Sequence, residues 1–133
     1  MKRLFILAAL ALSACGSDAP TVREICERFA DECVEQWPGG LGQCLDVFEP
    51  LILSDECLRA MVNVPCDYGQ SEMAVCFPGC EWGPSPECRD GVVRACEDCG
   101  YSGCLVVYDC RRVCEITDRE YLQCGSSGYC ECR

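Results

Sequence analysis

The stretch TVREICERFADEC, residues 21–33, decides how the first half of this chain folds. Thr21 followed three residues later by Glu24 is a capping box: the hydroxyl accepts a helix-start N–H and the carboxylate reaches back to the threonine N–H. Ile25, Phe29 and Cys33 recur at steps of four with Cys26 beside them, while Glu24, Glu27, Arg28, Asp31, Glu32 and Glu35 mostly fill the other side. That spacing predicts an amphipathic helix whose buried stripe carries two sulfurs, ended by Trp37-Pro38-Gly39-Gly40.

Working outward, a second helix is predicted over 41–48, stopped near Pro50, and a third from a Ser54 cap, with Asp55 and Glu56 in its first turn, to about Val62. A short helical turn is expected at 71–76. Residues 77–86 hold three prolines and two glycines, so a boundary is placed there. Beyond it, residues 91–95, 105–108 and 129–132 are short runs rich in β-branched or aromatic residues and read as strands, with one helical turn at 109–114. The expected fold is small and disulfide-rich. An N-terminal helical, hairpin-like module (22–76) is followed by a Pro/Gly-rich linker (77–87) and a small β-rich cysteine module (88–133). No internal repeat is convincing.

Composition explains why sulfur must help. Of the residues from Cys15 onward, only about one-third are Ala, Val, Ile, Leu, Met, Phe, Trp or Tyr, which is thin for one packed core. The chain has 17 cysteines, above the roughly 8–10% that marks a disulfide scaffold in a short exported protein. Without Lys2 and Arg3, nine arginines face 22 acidic residues for a formal net charge of −13. Nucleic acid is therefore excluded as a partner, since phosphate binding needs clustered cations. There is no histidine, and Lys2 is the only lysine. The commonest general base, metal ligand and Schiff-base nucleophile are missing, so no enzyme and no cofactor are expected.

The amino terminus has its own layout. Met1-Lys2-Arg3 is a short basic start, residues 4–12 are an unbroken apolar run, and Ser13-Ala14 are small residues directly before Cys15. This is the order of a secretory signal, and the eleven residues 4–14, Ser13 among them, are too few to span a bilayer, which needs about 20 apolar residues. Leu12-Ser13-Ala14-Cys15 resembles the lipobox of bacterial lipoproteins. The resemblance implies that residues 1–14 are cleaved, that the Cys15 sulfur receives a diacylglycerol, and that its amino group takes a further acyl chain such as palmitate. Gly16, not Asp, follows the cysteine, which in that family leans toward the outer membrane. Two or three acyl chains make a stable anchor where one is only reversible. Residues 15–21 then form a short lipidated tether.

Setting Cys15 aside leaves an even set: Cys26, Cys33, Cys44, Cys57, Cys66, Cys76, Cys80, Cys88, Cys96, Cys99, Cys104, Cys110, Cys114, Cys124, Cys130 and Cys132. Outside the cytoplasm these imply eight bridges. If the first two helices fold back on each other, Cys33 is expected to lie near Cys44, leaving Cys26 for Cys57 or Cys66. Narrower readings compete. Cys96-Glu97-Asp98-Cys99 has the spacing of a thiol oxidoreductase, but two carboxylates between the sulfurs raise the thiol pKa against the need for a thiolate. Cys96, Cys99 and Cys104, or Cys110 and Cys114, have spacings compatible with metal thiolates, which belong to reducing compartments. Residues 81–86 offer Trp82 among prolines as the candidate contact of an inhibitor-like loop.

The helical cysteine pairs followed by a C-terminal run ending Gly128-Tyr129-Cys130-Glu131-Cys132 resemble the small cysteine-rich lipoproteins of myxobacteria, a group that implies no activity. The expected function is a lipid-anchored envelope protein, held to the membrane through its acyl chains, that serves as a rigid module for an envelope or extracellular protein or glycan. A thiol-active or metal-thiolate protein is the alternative, and an exported inhibitor-like module the second.

Overall fold

The structure is a computed structural model that describes residues 18–68, 72–81, 86–100 and 102–133. It is a small disulfide-rich fold, with helices in the N-terminal part and small antiparallel strands after them. Helices α1 (Val22–Glu32), α2 (Gly40–Phe48) and α3 (Asp55–Met61) come first. Strands β1 (Glu87–Arg89), β2 (Val92–Asp98) and β3 (Gly103–Asp109) form one sheet in that order. Helix α4 (Cys110–Ile116) follows, and β4 (Tyr121–Cys124) pairs with β5 (Cys130–Cys132).

The capping box forms as expected. Thr21 N donates to Glu24 Oε2 at 2.6 Å, and Glu24 N donates to Thr21 Oγ1 at 3.2 Å. The Thr21 backbone N–H, and secondarily its hydroxyl, hold the Glu24 carboxyl below the ordinary glutamate range. A depressed folded value means that this stabilisation is present above the unfolded pKa and is lost as pH falls through the folded one. Glu24→Gln keeps the box and removes the charge. A denaturation series from pH 7 downward is therefore expected to separate it from wild type at neutral pH and bring the two together in acid.

Helix α1 ends at Glu32, short of the expected stop at Trp37. Cys33 leaves the helical backbone while its N–H still bonds Phe29 O, and the next residues turn so that the Trp37 ring comes back to stack on Phe29 at 6.0 Å. Ile25, Cys26, Phe29, Trp37, Cys44, Phe48 and Met61 then share one core. Arg28, on the rim of that stripe, sends its guanidinium to three carbonyls at and just past the α3 C-terminus: Met61 O at 3.3 Å, Val62 O at 2.8 Å and Val64 O at 2.6 Å. Met61 O also accepts from Val64 N at 3.4 Å, but carbonyls at a helix end lack the full set of helical partners, and a cation suits the negative end of the dipole. Replacing Arg28 with Met is expected to lower stability by about 1.5–3 kcal/mol, since hydrogen bonds to a charged group are the strong ones. Arg28→Lys should recover only part of that loss in the same urea titration, because an ammonium lacks the planar fork.

Residues 72–76 are turns, closed by Cys76 N and Phe77 N to Met73 O, and no helix forms there; residue 71 lies outside the described residues. Two of the expected C-terminal strands are longer than expected, β2 and β3, while β5 is one residue shorter, starting at Cys130 and not at Tyr129. Gly91 is not strand but turn: Asp90 and Gly91 both take positive φ (52° and 77°) and join β1 to β2 as a two-residue hairpin, the geometry that Asp-Gly favours. Strand β1 and strand β4 had no β-branched run to announce them. Strand β3 pairs with β2 in the register Val93↔Tyr108 and Glu97↔Cys104. Its other edge is covered by the N-terminal half, through Ile52 N to Val107 O, Asp109 N to Pro50 O, Leu105 N to Pro78 O and Cys80 N to Gly103 O. Gly103 must be glycine, because a Cβ there would lie 2.6 Å from Cys96 Sγ and 2.8 Å from Cys80 O. Val106 and Cys104 belong to the helical core, Val93 and Ala95 to a second one with Cys110, and Tyr108 packs against both.

All sixteen cysteines pair, with Cα separations of 4.7–5.9 Å. The N-terminal bridges are Cys26–Cys44, Cys33–Cys66 and Cys57–Cys76. This corrects the expected Cys33–Cys44 pair and the expected partners of Cys26. The turn after α1 carries the chain back to the level of Phe29, so four residues into α2 it has climbed to Cys26, and Cys33 at the helix end is left for Cys66 beyond α3. The other bridges are Cys80–Cys96, Cys88–Cys124, Cys99–Cys104, Cys110–Cys130 and Cys114–Cys132. The last two obey a simple match. Four helical residues rise about 6 Å and two strand residues about 6.6 Å, so Cys110 and Cys114 on α4 meet Cys130 and Cys132 on β5 in step. Asp109 Oδ1 starts α4 by accepting from Arg111 N at 3.0 Å, and the helix runs further than the single expected turn.

Candidate functional site

Cys15 and Trp82, the lipidation and contact residues expected from the sequence, lie outside the described residues. The cysteines of the 96–99 motif do not bond each other. Cys96 goes to Cys80 and Cys99 to Cys104, so the two sulfurs serve different loops. Cys110 and Cys114, read as alternative metal thiolates, are likewise bonded to strand cysteines. Among the described residues no group of three or more His, Cys, Asp or Glu stands where it could hold a metal ion, and no helix is long and apolar enough to cross a membrane.

Among the described residues, one surface depression differs in character from those around α4. Those around α4 are lined by charged side chains of both signs, such as Arg112 with Glu115 and Arg119 with Glu120. On the β2–β3 sheet, by contrast, Val93, Glu97, Tyr108, Val113, Tyr129 and Cys130 enclose an apolar groove of about 260 Å³. The residues come from four places: Val93 and Glu97, four positions apart on β2, Tyr108 from the facing strand, Val113 from α4, and Tyr129 just before β5 with Cys130 at its start. Register places them. Val93 and Glu97 share a face by the two-residue period of a strand. Tyr108, opposite Val93, lays its ring along that face until its hydroxyl donates to Glu97 Oε1 at 2.6 Å.

Burial, and then the hydrogen bond and charge of Glu97, push the Tyr108 phenol well above its ordinary range, so it stays a protonated donor. The pair is a fixed acceptor held by a fixed donor. The wall below it is rigid as well: Cys130 is bonded to Cys110, whose sulfur lies 3.9 Å from Cys88, itself bonded to Cys124. Tyr129 is the exposed member, at 47%. The groove therefore combines an apolar floor, two phenol rings and one carboxylate, with no cation among its lining residues. Such a site can bind and orient a ligand.

The sequence reading passed over this groove. In the sequence Glu97 stands out only as a neighbour of two cysteines, and Tyr129 only as part of a strand and of the Gly128–Cys132 ending. Its one signal was the alternation of Val93, Ala95 and Glu97, an acid in a position that the period assigns to the inner face. No protein-family model, curated protein or solved structure matches the chain.

Proposed function

We propose that this protein is a lipid-anchored lipoprotein of the cell envelope, held at the outer membrane through acyl chains on Cys15, and that it acts as a rigid, non-enzymatic binding or structural module. The observation that carries the reading is Leu12-Ser13-Ala14-Cys15 placed after a basic start and an apolar run. The pairing of the sixteen other cysteines among themselves supports it, since it leaves none of them over for Cys15. Bridges also suit an exported binding module: they hold loops in fixed shapes, so that little conformational freedom is lost when a partner docks. The partner is an envelope or extracellular protein or glycan.

The test is the intact mass of the membrane-extracted protein, taken unreduced after alkylation of free thiols. Eight bridges, no alkylated cysteine and two or three acyl chains on a chain starting at Cys15 are expected. Several alkylated cysteines or a metal adduct would support the thiol-active reading instead. Cys15→Ala is expected to leave an uncleaved precursor without lipid, and a variant still cut before position 15 and retained in membranes would refute the anchor. The inhibitor-like reading is tested by a partner search in which Trp82→Ala is the control.

A further inference from the structure

We propose that the groove between β2, β3, α4 and β5 is a binding site for a small organic ammonium ion, with the cationic head held against Glu97 and the rings of Tyr108 and Tyr129. Charge complementarity selects the ligand. Glu97 is the one carboxylate lining the groove and no arginine lines it, so the site carries an uncompensated negative charge beside aromatic groups. Phenol faces attract cations through the ring quadrupole, and quaternary ammonium groups fit such cages because they bring charge without hydrogen-bond donors to satisfy. The remaining lining, Val93, Val113 and Cys130, is apolar and suits the methyl groups of such a head.

Size selects further. About 260 Å³ falls below the roughly 300–1,000 Å³ of drug-sized pockets, so the occupant is a small molecule and not a folded partner. The site is also prepared in advance. Tyr108 already donates to Glu97, which leaves the other carboxylate oxygen for the ligand, and the wall at Cys130 is fixed by its bridge to Cys110. The net charge of −13 from Cys15 onward adds long-range attraction for any cation.

Choline chloride is the probe, titrated into the oxidised mature protein with amide and aromatic NMR shifts as the readout. Saturable shifts are expected at Tyr108, Val113 and Tyr129. The neutral carbon isostere 3,3-dimethyl-1-butanol, equal in shape, should bind about tenfold more weakly, as should choline to Glu97→Gln, which keeps an acceptor for Tyr108; Tyr129→Ala should weaken choline binding by roughly two- to fivefold. Native-like amide spectra of both variants show that the fold is retained, and Tyr129→Leu replaces Tyr129→Ala if the latter is not folded. No saturable shift up to about 50 mM choline, a range that covers even very weak affinity, overturns the site. Equal binding of the neutral isostere, or an unchanged affinity in Glu97→Gln, overturns it as well. Displacement of choline by phosphatidylcholine vesicles would transfer the site to lipid headgroups and overturn the small-molecule assignment.

Discussion

Removing one bridge, in the double variant Cys33→Ala/Cys66→Ala, is expected to lower the stability of the oxidised protein by about 3–4 kcal/mol. The bridge spans 33 residues and joins the end of α1 to the chain beyond α3, so its loss releases a long loop in the unfolded state. Cys99–Cys104 spans only 5. The same chain-entropy relation assigns it about 2 kcal/mol. Guanidinium titrations of the two double variants, followed by near-ultraviolet circular dichroism, compare them directly, and double replacement avoids a lone thiol that could reshuffle its neighbours. Domains of this size are stable by only about 5–15 kcal/mol, so the Cys33/Cys66 variant should show a large drop in midpoint. An equal or smaller drop than for Cys99→Ala/Cys104→Ala would contradict the pairing that ties α1 to the segment after α3.

Phe29→Ala is expected to cost about 3–5 kcal/mol. Phe29 is fully buried and is the centre of the aromatic cluster: its ring lies 6.0 Å from Trp37, 6.1 Å from Tyr68 and 6.5 Å from Phe48. Truncation removes three ring contacts at once and leaves a cavity that flanking elements pinned by disulfides cannot close. The fold should still form, since the bridges remain, but with weakened Trp37 signals in near-ultraviolet circular dichroism. Val34→Ala, at a position 60% exposed just after α1, is the matched control and should change stability by less than about 0.5 kcal/mol. Comparable losses in the two variants would show that the stripe of α1 does not organise the core.

That stripe was legible in the sequence because every part of it is local. Thr21 and Glu24 are three residues apart, and Ile25, Cys26 and Phe29 repeat with the helical period, so propensity and pattern agree before any tertiary contact is made. The Ser54 cap was readable for the same reason: Ser54 accepts from Cys57 N at 3.1 Å. The Asp-Gly hairpin at residues 90–91 was equally local, but the short strand β1 before it has no apolar alternation, and Gly91 was assigned to the strand it precedes. The expected Cys33–Cys44 pair does not form, because distance along a helix does not specify the turn that follows it. Cys33 and Cys26, seven residues apart, lie on nearly the same side of α1, about 10 Å apart along its axis. Only the path of residues 33–39 selects which of them α2 meets.

The groove was hidden for a related reason. Tyr108 and Glu97 are eleven positions apart, and their contact depends on a register that slips every side chain to the other face if it shifts by one residue. Val113, Tyr129 and Cys130 join them only once α4 and β5 have been stitched together by Cys110–Cys130 and Cys114–Cys132. By itself, then, the sequence determined the disulfide-rich class, the first three helices with the caps at Thr21 and Ser54, and the even set of sixteen cysteines, because these follow from composition and from neighbours within a few residues. Which cysteine bonds which, how β3 is covered on its second edge, and what gathers around Glu97 were decided by the tertiary structure, because sulfur pairing and strand register have no local code and are selected by which packed arrangement buries Phe29 with Val106 in one core and Val93 with Cys110 in the other.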